Sequence, residues 1–140
     1  MGAALISPLT QEVIAMGVNS SLYGDGSSNK SDVHAEANCI SSCAMAGRKT
    51  EGCSIYITMP PCKTCFGLIV AAGIKRIVFR KLCFTTDMIE TAARVGVEFV
   101  PLGKEATERC LERVKVLWRE GDIDREENEG KHERKKQKTS

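Results

Sequence analysis

The sequence predicts a layered α/β domain in which helices cover both faces of one sheet. Short β-branched apolar runs alternate with helical stretches of about ten residues. A strand, a helix and a second strand in this order form a parallel pair joined by a right-handed crossover. A chain of 140 residues, 42% of them apolar, is large enough to bury such a core without disulfide staples.

The first predicted elements are two strands. Apolar runs at residues 3–6 and 13–16 are separated by Ser7, Pro8 and further turn-forming or polar residues, which is typical of a hairpin. Residues 17–32 are rich in Ser, Gly, Asn and Asp and show little periodicity, so we predict a loop there.

Four elements follow the loop. β-branched and aromatic residues predict the strands, and the two helical runs end at Gly47 and Gly73. The predicted elements are a helix at residues 35–46, a strand at 53–58, a helix at 64–72 and a strand at 76–79.

The last part of the chain is predicted to end in a charged tail. A helix at residues 86–95, closed by Gly96, precedes a short strand at 97–100. Apolar residues spaced by three or four predict an amphipathic helix at 104–120. Almost every residue beyond Gly121 is polar or charged, so we predict a domain at residues 1–121 and a disordered tail at 122–140.

Charge and cysteine usage restrict the setting of the protein. The net charge of +2 is too small to indicate nucleic acid or a membrane as a partner, and no apolar run approaches the roughly 18 residues of a membrane span. Residues 1–9 lack a basic secretion signal, and seven cysteines without scaffold spacing favour a reducing compartment. We expect an intracellular, cytoplasmic protein. The basic run at 131–138 predicts a disordered terminus. A nuclear localisation signal and an RNA-binding tail are the alternatives.

Two short motifs carry the chemistry. A His-Ala-Glu run from His34 to Glu36 opens the first predicted helix, and Cys62 and Cys65 open the second, after Pro61. A Cys-x-x-Cys step at a helix start lets two thiolates reach one ion, and an imidazole supplies a third ligand. The fourth tetrahedral position then stays open for water, as in catalytic sites. We predict Zn²⁺ held by His34, Cys62 and Cys65.

Glu36 is a residue that a purely structural zinc site does not need. Two positions after His34, its carboxylate can face a zinc-bound water without ligating the metal. It can then take a proton from the water and pass it to a leaving nitrogen, acting as general base and general acid. A Cys-x-x-Cys pair alone is also typical of redox and structural sites, but its combination with His34, Glu36 and Pro61 favours catalysis.

The remaining cysteines are predicted to have no metal role. Cys39 and Cys43 lie one helical turn apart, but they have no companion His or Cys pair at a useful spacing. We therefore expect them to pack in the core as small apolar residues. The same prediction holds for Cys53, Cys83 and Cys110.

These motifs also carry a family resemblance. Residues 34–38 read HAEAN, residues 58–65 read TMPPCKTC, and residues 72–79 read AGIKRIVF. The pattern H-x-E…P-C-x-x-C is the signature of zinc nucleobase deaminases. The three runs resemble the cytidine/deoxycytidylate deaminase superfamily, and within it the deoxycytidylate branch. With a weaker likeness at 17–20 and 96–99, the resemblance covers roughly two-thirds of the chain.

The resemblance implies a three-layer α/β/α sandwich with a mixed sheet of about five strands. It implies that Asn19 contacts the substrate sugar, with Ala35 and Asn38 as further candidate substrate-binding residues. A turn-forming asparagine and a helix-surface amide are the alternatives for Asn19 and Asn38. The resemblance also implies a homo-oligomer whose sites are completed at subunit contacts.

One departure from the family pattern concerns the start of the fold. Family members usually carry a helix before the first strand, whereas here the first predicted strand begins at residue 3. We expect the predicted helix at 104–120 or a neighbouring subunit to cover that face of the sheet. A sheet face left uncovered would expose a sizeable apolar patch.

The resemblance favours deamination of a cytosine nucleotide, a dCMP-to-dUMP type of reaction, by zinc-bound hydroxide with Glu36 as the proton shuttle. Such a hydroxide attacks cytosine C4 and adenine C6 equally well, so a tRNA adenosine-to-inosine deaminase or its subunit is an alternative. The tRNA adenosine deaminase family generally has Met at the position of Thr64. The free-cytidine deaminases have a C-A-E pattern, with Cys at the position of His34. A catalytically silent zinc-binding partner subunit is a further alternative, against which the presence of Glu36 argues.

Overall fold

A computed structural model of the chain describes residues 1–22, 33–80, 86–109, 111, 112 and 115. The chain divides into two units, residues 1–102 and 103–140. In the second unit residues 104–109, 111, 112 and 115 are helical, as predicted for that part of the helix at 104–120. The predicted tail, its boundary at residues 121 and 122, and most of the predicted loop at 17–32 lie outside the described residues.

The described part of the first unit contains five strands and three helices. Each was predicted from the sequence, and its observed ends lie within two residues of the predicted ones. In chain order the elements are β1 (Gly2–Ile6), β2 (Val13–Val18), α1 (Ala35–Met45), β3 (Ser54–Ile57), α2 (Lys63–Ala71), β4 (Arg76–Phe79), α3 (Thr86–Arg94) and β5 (Glu98–Pro101).

The strands form one mixed sheet in the order β2-β1-β3-β4-β5. β1 runs antiparallel to both β2 and β3, whereas β3, β4 and β5 run parallel to one another. The predicted hairpin, the predicted strand–helix–strand unit and the five-stranded mixed sheet of an α/β fold are therefore confirmed. Because β3 leads directly into α2, the parallel arrangement delivers the first turn of α2 to the carboxyl edge of the sheet.

One face of the sheet builds the core. Leu5, Ile55 and Ile77 are cross-strand neighbours, and each is fully buried. Side chains from all three helices of the first unit join the same buried cluster. Period-two alternation along the strands places these apolar residues on one face.

The buried cysteines of α1 and β3 belong to this core. Cys39, Cys43 and Cys53 are at most 1% exposed and lie in the apolar cluster, which confirms the core-packing prediction for them. Burial raises the pKa of Cys39 to about 11, so its thiol stays neutral. The corresponding predictions for Cys83 and Cys110 concern residues outside the described part of the chain.

The opposite face of the sheet exposes apolar side chains at its β2 end. Met16 pairs with Ala4, and Ala4 pairs with Tyr56 on its other side. On this face Met16 is 72% exposed, Val18 is 68% exposed and Tyr56 is 41% exposed. These exposed side chains form the kind of apolar patch predicted for a sheet face that is left uncovered. None of the helices among the described residues has the length and apolar character that a membrane span requires.

Gly17 allows β2 to approach α1 very closely. A Cβ atom at this position would lie closer than 3.0 Å to the carbonyl oxygen of Ala35 and to the backbone nitrogen of Cys39. Both neighbours are backbone atoms of a packed helix, so neither can move aside cheaply. The absence of a side chain at residue 17 therefore sets the distance between β2 and the first turn of α1.

We predict that Gly17→Ala lowers the free energy of unfolding by about 1–3 kcal/mol, because the added methyl group overpacks this contact. Gly67→Ala is the matched control, since a Cβ at residue 67 of α2 meets nothing within 4 Å. Alanine at that helical position should stabilise the protein by roughly 0.5–1 kcal/mol. Urea denaturation of both variants measures the difference. A Gly17→Ala protein as stable as the original would show that the close approach is not constraining.

Candidate metal centre and active site

Three potential metal ligands meet at the starts of two helices. His34 is the residue immediately before α1, and Cys62 is the residue immediately before α2. Both have extended backbones, so each chain segment turns into its helix at the ligand itself. Cys65 follows in the first turn of α2 and is buried, whereas Cys62 is exposed.

The ligand atoms of these residues form one compact group. The Nδ1 atom of His34 lies 3.6 Å from the Sγ atom of Cys62 and 3.4 Å from the Sγ atom of Cys65. All three ligand atoms lie within 4.8 Å of one another. The structure therefore brings together the three residues that the sequence singled out as metal ligands.

The spacing fits a tetrahedral zinc ion. Zinc lies about 2.3 Å from thiolate sulfur and about 2.0–2.1 Å from imidazole nitrogen, so a tetrahedral pair of these ligands is separated by about 3.6 Å. The two observed nitrogen–sulfur distances agree with this value. Two thiolates and one neutral imidazole balance the charge of a divalent cation and leave a fourth position for water or substrate.

A backbone contact holds the sulfur of Cys62 in place. Its Sγ atom accepts a hydrogen bond from the backbone N–H of Cys65, 3.4 Å away, and so caps the N-terminus of α2. The sulfur of Cys62 therefore lies at the first turn of α2, next to the backbone of Cys65.

The surroundings of Cys65 disfavour its negatively charged thiolate form. Burial, together with the negative charges of Glu36 and Cys62, raises the pKa of Cys65 to about 12. Two sulfurs and a carboxylate crowded at one point repel one another when all are ionised. A bound cation supplies the missing positive charge, and its binding releases the thiol proton.

Glu36 lies in the first turn of α1 and is completely buried. Neither of its carboxylate oxygens has a hydrogen-bond partner among the described residues, although the group lies close enough to Cys65 to affect that thiol's pKa. A buried carboxylate without partners is costly, so such groups in native proteins call for a further ligand, a water or a reaction. This is the position beside the metal group that the sequence predicted for a proton shuttle.

A cavity of about 300 Å³ reaches the metal group from the helix side. His34 and Ala37 line one wall, and Cys62, Thr64 and Leu68 line the other. The volume is at the lower end of the range for small-molecule sites. Sequence reasoning did not single out Ala37 or Leu68, yet helical periodicity could have found them, three residues after His34 and four after Thr64.

The three predicted substrate-binding residues all make contacts within the protein. The backbone N–H of Ala35 donates to Oδ1 of Asn19 at 2.9 Å. The Nδ2 amide of Asn38 donates to the carbonyl of Val18 at 2.7 Å and to the Oγ of Ser20 at 2.9 Å. These contacts place Asn19 and Ala35 beside the metal ligand His34, and their binding of substrate stays a prediction.

Comparison with known families adds to this geometry. Residues 1–81 match the family described as the cytidine and deoxycytidylate deaminase zinc-binding region. The chain belongs to this family. The matched region contains the complete His34, Cys62 and Cys65 group, so zinc is the metal that both the donor set and the family indicate.

Relatives within the family are deoxycytidylate deaminases. The chain is 40% identical over 60 residues to the deoxycytidylate deaminase of enterobacteria phage T2. This alignment covers 43% of the chain and 30% of the phage protein. The chain is 40% identical over 62 residues to the mouse deoxycytidylate deaminase, covering 44% of this chain and 34% of the relative. The chain therefore spans about a third of the length of these curated relatives.

Solved structures show the same fold. The dCMP deaminase of cyanophage S-TIM5 aligns with a TM-score of 0.58 and 25% identity, covering 72% of this chain and 79% of that one. Guanine deaminase from Nitrosomonas europaea aligns with a TM-score of 0.57 at 18% identity over 71% of this chain and 63% of its own. The second likeness concerns the fold alone.

We predict that Cys62→Ala and Cys65→Ala each lose bound zinc, because two remaining ligands hold the ion far less tightly than three. Cys43→Ala is the matched control, since this cysteine is buried in the core of the same unit and is not one of the three ligands. Elemental analysis of the purified variants should give one zinc per chain for the control and much less for the other two. Full occupancy in either ligand variant would refute the assignment of that cysteine.

Proposed function

We propose that this protein hydrolytically deaminates a cytosine nucleotide, with His34, Cys62 and Cys65 holding Zn²⁺ and Glu36 moving the proton. The observation that carries the proposal is the buried, unpartnered carboxylate of Glu36 beside a His/Cys/Cys group. A structural zinc site needs no such acid, and burying one there is costly. A hydrolytic site needs it to activate water and to protonate the departing amine.

Zinc held by His34, Cys62 and Cys65 would supply an acidified water molecule, because the metal lowers the pKa of a bound water from about 15.7 towards 7. Glu36 accepts the proton of the attacking water and later delivers it to the leaving amine, so that ammonia departs and a carbonyl remains. The cavity between α1 and α2, about 300 Å³ in volume, is lined by all three metal ligands.

The comparisons support a cytosine nucleotide as the substrate class. The relatives named above are deoxycytidylate deaminases, and the S-TIM5 enzyme has been solved in complex with dCMP and dUMP. Those two nucleotides differ only by replacement of the C4 amine with a carbonyl. In this chain Asn19, next to Ala35 at the start of α1, is our candidate for contact with the sugar.

The presence of Glu36 favours an active enzyme over the alternative of a silent zinc-binding subunit. The alternative function, tRNA adenosine deamination, differs from the proposed function in its substrate, so the compound that is turned over distinguishes the two. The homo-oligomer and the intracellular location remain predictions. The exposed Met16, Val18 and Tyr56 are compatible with a further layer of protein over that face of the sheet.

The proposal predicts a substrate ranking. Zinc-loaded protein is incubated with dCMP, CMP, deoxycytidine, cytidine and a tRNA anticodon stem-loop, and ammonia release is measured. We expect turnover with dCMP and little or none with the stem-loop. Turnover of the stem-loop alone would identify the tRNA enzyme. No turnover of any compound, at one zinc per chain, would favour the silent partner.

We predict that Glu36→Gln lowers kcat by about 10²- to 10⁴-fold, the usual contribution of a general acid–base group. Zinc content should stay at one per chain, because the carboxylate is not one of the three ligands. Glu51→Gln removes an exposed carboxylate outside the site and serves as the matched control. Wild-type turnover in Glu36→Gln would contradict the assigned role, whereas loss of zinc would reassign Glu36 as a ligand.

A further inference from the structure

The side chain of Asn38 is committed to the protein itself. Its Nδ2 group donates to the carbonyl of Val18 and to the Oγ of Ser20, at 2.7 and 2.9 Å. A side-chain amide has two N–H donors, and these two contacts use both of them. A substrate acceptor would have to displace one of these short bonds. The donors of Asn38 therefore have a role within the protein, and its binding of substrate stays a prediction.

Residues 18–20 share three further hydrogen bonds with the segment of the metal ligand. The backbones of Ser20 and Val33 exchange two hydrogen bonds of 3.0 and 3.1 Å. The Oδ1 of Asn19 accepts from the N–H of Ala35. Two residues before Asn19, the missing side chain of Gly17 lets β2 lie against α1. Residues 18–20 and 33–38 thus form one hydrogen-bonded frame around His34.

We infer that Asn38 is a positioning residue that holds residues 18–20 against the first turn of α1. It bonds to the residues on either side of Asn19 and so fixes the place of the Asn19 side chain on the Ala35 amide. The metal group and Glu36 do not depend on Asn38, because α1, α2 and the core hold them. Loss of the Asn38 side chain therefore loosens residues 18–20, which include Asn19, without removing the metal ligands or Glu36.

The consequence for turnover rests on the proposed function, whereas the contact itself does not. If Asn19 contacts the substrate sugar, loosening of residues 18–20 weakens nucleotide binding and leaves the chemical step largely intact. The expected signature is a higher KM with a similar kcat. Damage to the metal group or to Glu36 would instead lower kcat.

Arg48 provides a matched control for this inference. Its guanidinium donates to the carbonyl of Ile14, at the other end of the same edge strand, 2.5 Å away. Arg48→Ala therefore removes a side-chain bond to a β2 carbonyl, as Asn38→Ala does, but at a place not joined to Asn19. A general loosening of β2 affects both variants, whereas a positioning role affects only Asn38→Ala.

The first measurement is hydrogen exchange of backbone amides in the zinc-loaded variants. In Asn38→Ala we expect exchange at Ser20, Val33 and Ala35 to accelerate by about tenfold or more, as expected for loss of hydrogen bonds of ordinary strength. The amides of β3 and β4 should be unchanged. In Arg48→Ala the three reporter amides should exchange as in the original protein. Unchanged exchange in Asn38→Ala, or equal acceleration in both variants, would overturn the inference.

The second measurement is steady-state kinetics with the nucleotide that the original protein turns over. We expect KM to rise about tenfold in Asn38→Ala, with kcat within about threefold and one zinc per chain. Asn38→Asp keeps the size of the side chain but removes its donors, so it should behave like Asn38→Ala. Wild-type KM in either variant, or a loss of zinc, would overturn the inference. If no nucleotide is turned over, the proposed function fails and the exchange experiment alone decides the positioning role.

Discussion

The proposed site depends on the N-termini of α1 and α2 lying next to each other. His34 ends the segment that leads into α1, Cys62 ends the segment that leads into α2, and Cys65 follows one turn later. Each ligand is held by backbone geometry at a helix terminus and not by a flexible loop tip. The resulting group places one nitrogen and two sulfurs within 4.8 Å of one another, a spacing that favours a tetrahedral cation over any arrangement of neutral side chains.

The rest of the site is built around the charge balance of that group. Glu36 places a buried carboxylate beside two sulfurs, and a bound cation would offset the repulsion among these groups in their ionised forms. Gly17 and the bonds of residues 18–20 then bring β2 onto the same helix start. His34, the acid and the contact with Asn19 consequently lie at the start of α1, whereas Cys62 and Cys65 are held separately at the start of α2.

Most of the fold was predictable from the sequence, because β-branched runs and glycine stops are local signals. The metal ligands were also predictable, since the spacing of Cys62 and Cys65 and the motif from His34 to Glu36 are short patterns. The close approach at Gly17 and the bonds of Asn38 were not, because they join segments about 20 residues apart and depend on packing. Asn38 was predicted to bind substrate, whereas its amide donors are already engaged within the protein.

In the proposed site, one imidazole and two thiolates hold zinc beside an acid that does not ligate it. X-ray absorption at the zinc edge of the purified protein measures this ligand set. We expect one zinc per chain with two sulfur neighbours at about 2.3 Å and two nitrogen or oxygen neighbours at about 2.0–2.1 Å. A zinc surrounded by three or four sulfurs, or a metal-free protein with a disulfide between Cys62 and Cys65, would contradict this expectation.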